Sequence, residues 1–179
     1  MAPPPTTPTA RTVVSFEELF DREAGYVHRT LLRLGVAGRD VEDGVQEVFL
    51  AAHRRWAQCD TTRPIRPWLF SFAFHHAANY RRLGRHREEP REHTETAAAS
   101  DPERAYAERE ARSIVLRALD ALPDERRGVF VACEIDGFSA PEVAAQLGIP
   151  LGTVYSRLRA AREEFTLAVR RQTPERRAP

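Results

Sequence analysis

The sequence predicts an all-α protein: two small helical domains joined by a flexible linker, the C-terminal one a four-helix unit with a helix-turn-helix. Three observations lead there. Apolar residues recur at spacings of three and four, no segment alternates as a strand would, and two Ser-x-x-Glu capping boxes, Ser15/Glu18 and Ser139/Glu142, open apolar runs. A length of 179 residues suits one medium or two small domains.

Residues 1–12 carry four prolines and several threonines, with nothing to bury, and are expected to be a disordered tail. The first domain is expected over 13–87. Ser15 caps a helix bearing Phe16, Leu19, Tyr26, Val27 and Leu31, which Gly35 and Gly38 end. Asp40 is expected to cap a second helix, with Val41, Val45, Val48, Phe49 and Ala52 inward and Glu42, Asp43, Gln46 and Glu47 outward. After a loop to Arg63, Pro64 and Pro67 introduce a third helix, aromatic first (Trp68, Phe72) and then basic (Arg81, Arg82, Arg85, Arg87). Residues 88–103 hold six acids, one arginine and an alanine run without a helical face, the composition of a linker. The second domain is expected over 104–171, with a short tail at 172–179. Asp101-Pro102 favours a helix start, and a helix runs to Leu122 before Pro123 opens another through Val129, Phe130 and Val131.

The helix-turn-helix follows. Pro141 lies in the first turn after Ser139, Gly148 ends that helix, and Pro150 prevents its continuation. In the next helix Val154, Leu158, Ala161 and Phe165 form one stripe at about 100° per residue, while Ser156, Arg159, Ala160 and Glu163 point away and Arg157 and Arg162 flank them. Such a helix has the dimensions to enter a major groove, where arginine grips guanine edges or phosphate. An ordinary helical hairpin with a solvated arginine face would show the same local pattern.

Charge is segregated. The net charge is +1 and all 27 basic residues are arginine. Residues 15–47 hold eight acids against four arginines, whereas 63–87 hold six arginines, three histidines and no acid. That division is consistent with two different partners. Cys59 and Cys133 stand apart in sequence, which suits reduced thiols of a cytoplasmic protein, and the scattered histidines give no metal-ligand spacing. No signal-peptide layout and no run near the roughly 20 apolar residues of a membrane span appears. We expect no catalytic residue, no cofactor, no metal, no small-molecule substrate and no membrane insertion.

Four blocks in order, Asp40-Val-Glu-Asp43-Gly-Val-Gln46-Glu47-Val-Phe49, Arg66-Pro-Trp68-Leu-Phe70, Leu119-Asp-Ala-Leu122-Pro123 with Arg127, and Leu151-Gly-Thr153-Val-Tyr-Ser156-Arg157-Leu, resemble the extracytoplasmic-function (ECF) group of bacterial RNA polymerase sigma factors. The resemblance covers residues 13 to 170. It implies an alternative sigma factor with a region 2 domain and a region 4 domain. It assigns core-polymerase docking, on the clamp helices of the largest subunit, to Asp40, Asp43, Gln46, Glu47 and Phe49. Recognition and melting of the −10 promoter element fall to Arg63, Trp68, His75, Asn79, Arg81, Arg82 and Arg85, with Trp68 open to a core role instead. Reading of the −35 element falls to Thr153, Tyr155, Ser156, Arg157, Arg159 and Arg162, on a domain that also meets the flap of the second-largest subunit. An anti-sigma factor is the further implied partner.

The chain departs from the family at Phe74-His75, where an Arg-Asn pair is frequent, and at Asn79, where Asp is frequent. Tyr155 stands where a basic residue is common and Ala160 where Arg is common. The rival reading is an autonomous helix-turn-helix regulator, which would need no acidic docking helix and would ordinarily dimerise on a symmetric operator. An enzyme acting on DNA is disfavoured by the lack of a spaced carboxylate set or nucleophile-base pair.

Overall fold

Two Ser-x-x-Glu signatures close as hydrogen-bonded boxes and fix where the chain turns helical. The computed structural model describes residues 15–84 and 102–172. At the first box the Ser15 N–H donates to Glu18 Oε2 (3.0 Å) and the Glu18 N–H donates to Ser15 Oγ (3.1 Å), opening α1 (Phe16–Arg33). Helix α1 ends at Gly35, whose φ of 91° lets the Val36 N–H turn back to the Leu31 carbonyl at 3.0 Å.

The second helix, α2 (Val41–Arg54), starts differently from the expectation. Asp40 stands at its N-cap position but makes no side-chain cap; a 3-10 turn over Gly38–Asp40 leads into the helix instead. The Asp40 carboxylate accepts the Tyr80 hydroxyl at 2.6 Å, a charge-assisted bond that takes it from the backbone of its own helix. Helix α3 (Ile65–Gly84) buries Leu69, Phe70, Ala73 and Ala77. Helices α1, α2 and α3 thus pack as one unit around Leu19, Val27, Leu31, Val48 and Phe49.

In the second half, α4 (Pro102–Asp120) begins inside the segment expected to be linker, since Pro102 and Glu103 are helical. The remainder of that segment, residues 1–12 and 173–179 of the expected tails, and Arg85 lie outside the described residues; Gln172, expected in the tail, closes α7. Helix α5 (Asp124–Phe130) does not run on as an ordinary helix. Over Val131–Ile135 the pitch widens to a π turn, with the Asp136 N–H donating to the Val131 carbonyl at 2.9 Å. The wide turn places Asp136 against α1 before Gly137, at φ 73°, reverses the chain. Helix α6 (Ala140–Leu147) opens on the second capping box and ends at Gly148 in the left-handed region, φ 64°. Helix α7 (Leu151–Gln172) then buries Val154, Leu158 and Ala161, and Phe165 stacks on Phe130 at 4.6 Å, as its periodicity requires.

The two halves are docked. Phe70 meets Phe138 edge-on at 5.9 Å, the Tyr26 hydroxyl donates to Asp136 at 2.8 Å, and Arg33 pairs with the same carboxylate at 3.1 Å. One apolar cluster runs through both.

Candidate nucleic-acid interface

Helical spacing puts Asp43, Gln46, Glu47 and Leu50 on one side of α2, because residues three, four and seven apart share a face. All four are exposed, Leu50 at 59%. Glu47 Oε2 lies 3.3 Å from Nδ1 of His76, which ties the acidic face to α3. His76 also packs closely over Gly44, where an added Cβ would come 3.0 Å from its Nε2. Two of the residues assigned to docking are placed elsewhere. Phe49 is 3% exposed and packs edge-on against Phe20 (4.8 Å) and Phe16 (6.1 Å), so it supports the helix from beneath. Asp40 is engaged by Tyr80 and lies 3.6 Å from Arg39. Leu50 was missed from sequence, although its position seven residues after Asp43 signals the same face.

Helix α3 divides its polar residues between two sides. His75, Asn79 and Arg82 follow one another at four and three residues, all exposed, and Arg82 Nη2 donates to Asn79 Oδ1 at 3.0 Å. Arg81 points the other way: only 12% exposed, it pairs with Asp124 of α5 at 2.7 Å. The periodicity that separates positions 81 and 82 by about 100° accounts for the split. Trp68 is half-buried, 4.8 Å edge-on to Phe72 and 6.1 Å from Trp56, an aromatic shelf with one side open. Arg63 stands exposed in the preceding loop beside Asp60 at 3.2 Å, and Asp60 also accepts the Thr62 N–H at 3.0 Å, which shapes that loop.

On α7, Tyr155, Ser156 and Arg159 are displayed, with the Arg159 side chain 85% exposed and 3.5 Å from Glu163. Ser156 Oγ donates to the Thr153 carbonyl at 3.0 Å, and Thr153 itself is half-buried at the start of the helix. Arg157 and Arg162, the flanking arginines, are paired. Arg157 is 25% exposed and bonded to Glu125 of α5, while Arg162 donates twice to Glu134 Oε1, at 2.6 and 3.1 Å. These pairs clamp α7 to α5 and the π turn, and leave Arg159 as the outermost cation of the face.

Between the halves lies a polar seam that the sequence did not signal, because Asp136 and its partners Tyr26 and Arg33 are about a hundred residues apart. Asp136 accepts from Tyr26 and Arg33. Burial raises its carboxyl above the ordinary aspartate range even against the Tyr26 hydrogen bond and the nearby arginines. The Tyr26 hydroxyl is likewise raised, by burial first and by Asp136 second. Arg66 lies 5.0 Å over the Tyr26 ring and donates to the buried Glu23 at 2.8 Å. Arg127 is 1% exposed, 2.9 Å from Asp120; burial first, then Arg81, pulls its pKa down to about 10, with Asp120 and Asp124 opposing. Its guanidinium fills the space over Gly35, which any Cβ there would enter. Cys59 and Cys133 are free and half-buried, and burial raises both thiols. Among the described residues no helix is long and apolar enough to cross a membrane, and no three His, Cys, Asp or Glu side chains gather as a metal site.

Residues 19–87 match the family model for sigma-70 region 2 and residues 112–165 that for sigma-70 region 4. The chain is 34% identical to the ECF RNA polymerase sigma-E factor of Escherichia coli strain K12 over 152 residues, 77% of this chain and 79% of that one. It is 33% identical over 160 residues to the ECF RNA polymerase sigma factor SigE of Mycolicibacterium smegmatis, 84% of this chain but 60% of the length of that relative. Among solved structures, CnrH in complex with the cytosolic domain of CnrY superposes with a TM-score of 0.65 at 26% identity, covering 88% of this chain and 89% of that one. The sigma factor RpoE in complex with the anti-sigma factor NepR, from Bartonella quintana, shares the fold with a TM-score of 0.67 at 20% identity, covering 87% and 96%. With both sigma-70 regions present in order and the E. coli relative matched over most of its length, the chain belongs to the ECF group of RNA polymerase sigma factors.

Proposed function

We propose that this ECF sigma factor docks on core RNA polymerase through the acidic face of α2 and directs it to promoters by reading a −10 element with α3 and a −35 element with α7. The observation that carries the reading is the display of Asp43, Gln46 and Glu47 on one exposed face directly beside the cationic, aromatic helix α3. Exposed carboxylates on a rigid helix suit charge-assisted bonds to the arginines of a coiled coil such as the clamp helices. Trp68 offers a stacking surface and Arg63 and Arg82 offer phosphate contacts, the pairing that captures an unstacked base beside a cationic track.

On α7 the reading face is Tyr155, Ser156 and Arg159, with Thr153 at its start. Arg157 and Arg162 serve first to hold the helix in place and engage DNA only by exchanging their carboxylate partners for phosphate. The same domain would meet the polymerase flap. CnrH and the Bartonella RpoE were both solved with a partner protein bound, and an anti-sigma factor is the corresponding regulator proposed for this chain. The work is binding rather than covalent catalysis, needs no cofactor, and belongs in the cytoplasm with the polymerase.

The test is transcription by core polymerase on a library of genomic fragments, with and without the chain. Transcripts that start only in its presence, from fragments sharing two elements at constant spacing, are the expected result; no chain-dependent transcript would overturn the reading.

A further inference from the structure

Glu23 is a buried charge on a helix that carries no assigned contact. The inward stripe of α1 runs through Leu19, Glu23, Tyr26, Val27 and Leu31, so Glu23 stands where helical periodicity calls for an apolar side chain. It is 4% exposed. Its Oε1 accepts Arg22 Nε at 3.1 Å from the same helix, and its Oε2 accepts Arg66 Nε at 2.8 Å from the first turn of α3. Arg66 is held on a second side too, its guanidinium 5.0 Å over the Tyr26 ring.

Stability does not account for the charge, because apolar side chains of similar volume in place of a buried ion pair are often neutral or stabilising. What the pair adds is direction. A bond from a buried carboxylate on α1 to a guanidinium in the first turn of α3 fixes where α3 begins, and the pair lies wholly within the first half of the chain. The loop just before that turn is the one in which Asp60 accepts the Thr62 N–H and pairs with Arg63. Two residues after Arg66 comes Trp68, its ring set against Trp56 and Phe72. Both elements offered to the −10 strand, the Arg63 loop and the Trp68 ring, therefore hang from the point that Glu23 holds.

We propose that Glu23 is a positioning residue for promoter opening: acting through Arg66, it sets the entry of α3, and with it the Arg63 loop and the Trp68 ring, where an unpaired −10 base is captured. The inference rests on the sigma-factor reading and adds to it a residue of α1 that touches no DNA. A capture surface held in advance needs no ordering when the base leaves the stack; a loose one must be ordered at that moment.

The experiment compares the full chain with its Glu23→Leu, Glu23→Gln and Glu23→Leu/Arg66→Met variants in three measurements: hydrogen exchange of the free chain, titration of core polymerase, and permanganate reactivity of −10 thymines. The last uses genomic fragments that give chain-dependent transcripts, each as closed duplex and with a mismatched −10 bubble. Glu23→Leu is expected to keep the melting temperature and core affinity of the parent. Its amides over residues 59–68 should exchange about tenfold faster while the rest of α3 is unchanged, and it should open the closed duplex about fivefold more slowly. On the bubble, where no base has to leave the stack, the deficit should shrink to less than about twofold. Glu23→Gln, which keeps an acceptor for Arg66, should fall between the two, and adding Arg66→Met to Glu23→Leu should slow opening no further. Parent rates of opening in Glu23→Leu, or a loss equal on duplex and bubble, or one that follows the melting temperature, overturn the proposal, and so does a further loss from Arg66→Met. Faster exchange confined to residues 59–68, with no fragment opened by the parent and core, upholds the hold of Glu23 on the loop and overturns the sigma-factor reading; opening by the parent with exchange unchanged in Glu23→Leu does the reverse.

Discussion

Helices α3 and α7 are both long, both carry arginines near the surface and both are assigned to DNA, yet their arginines stand in opposite settings. On α3 the cation of the reading face, Arg82, has an amide neighbour, Asn79, while Arg81 one residue earlier is turned into the seam with Asp124. On α7 the flanking arginines each hold a glutamate from α5 or the π turn, and Arg159, between them, is the most exposed of the three. In a chain with 27 arginines and a net charge of +1, an arginine is not in itself evidence of a nucleic-acid contact. The carboxylates around it decide whether it clamps helices together or reaches outward, and in α7 two of them hold the helix against α5 and the π turn.

Arg127 is the extreme inward case and gives the largest expected effect. It lies buried against Asp120 beneath Gly35, so Arg127→Ala leaves a cavity and removes a buried guanidinium from beside Asp120. A loss of about 3 kcal/mol in urea unfolding is expected, with Arg127→Met recovering most of it, because filling the volume matters more than keeping a costly buried charge. Equal losses for the two variants would mean that the charge itself holds the site. Arg159 and Arg157 sharpen the comparison on the outward side. Arg159→Ala should weaken binding to the −35 duplex by about 1–3 kcal/mol and relax its sequence preference. Arg157→Ala, which breaks an ion pair with Glu125, should lower thermal stability and weaken all duplexes alike; the opposite ranking in a fluorescence-anisotropy titration would reverse the roles assigned to them.

The smallest effect belongs to the cap of α6. Ser139 holds the Glu142 carboxyl below the usual glutamate range through its hydroxyl and backbone N–H. A lowered folded value means that the contribution is present above the unfolded pKa of about 4.3 and is lost as pH falls through the lowered one. Ser139→Ala should therefore cost about 1 kcal/mol at pH 7 and progressively less in acid, as followed by thermal melts across pH 2 to 7.

Local chemistry was legible from sequence. Both capping boxes, the stripe of Val154, Leu158, Ala161 and Phe165, and the display of Asp43, Gln46 and Glu47 depend on residues within a turn or two of one another, and all are found where periodicity puts them. What depends on distant partners was not legible. Asp40 has the residue type of a cap, but Tyr80, forty residues on, takes its carboxylate. Phe49 matches a docking motif, yet Phe16 and Phe20 enclose it from α1. The π turn after Phe130 has no composition signal, and the docking of the two halves through Asp136, Phe138 and Gly128 could not be read from a segment that looks, by composition, like a tether.

The most direct test of the central claim is a titration of core RNA polymerase with the full chain beside an Asp43→Arg/Glu47→Arg variant, followed by co-elution on size exclusion. The account predicts a stable complex for the parent and at least about a hundredfold weaker binding for the reversal, since two exposed, helix-borne guanidinium groups would then face arginines of like charge. A reversal that binds as tightly as the parent, with its helical content intact, would contradict the assignment of α2 as the docking helix.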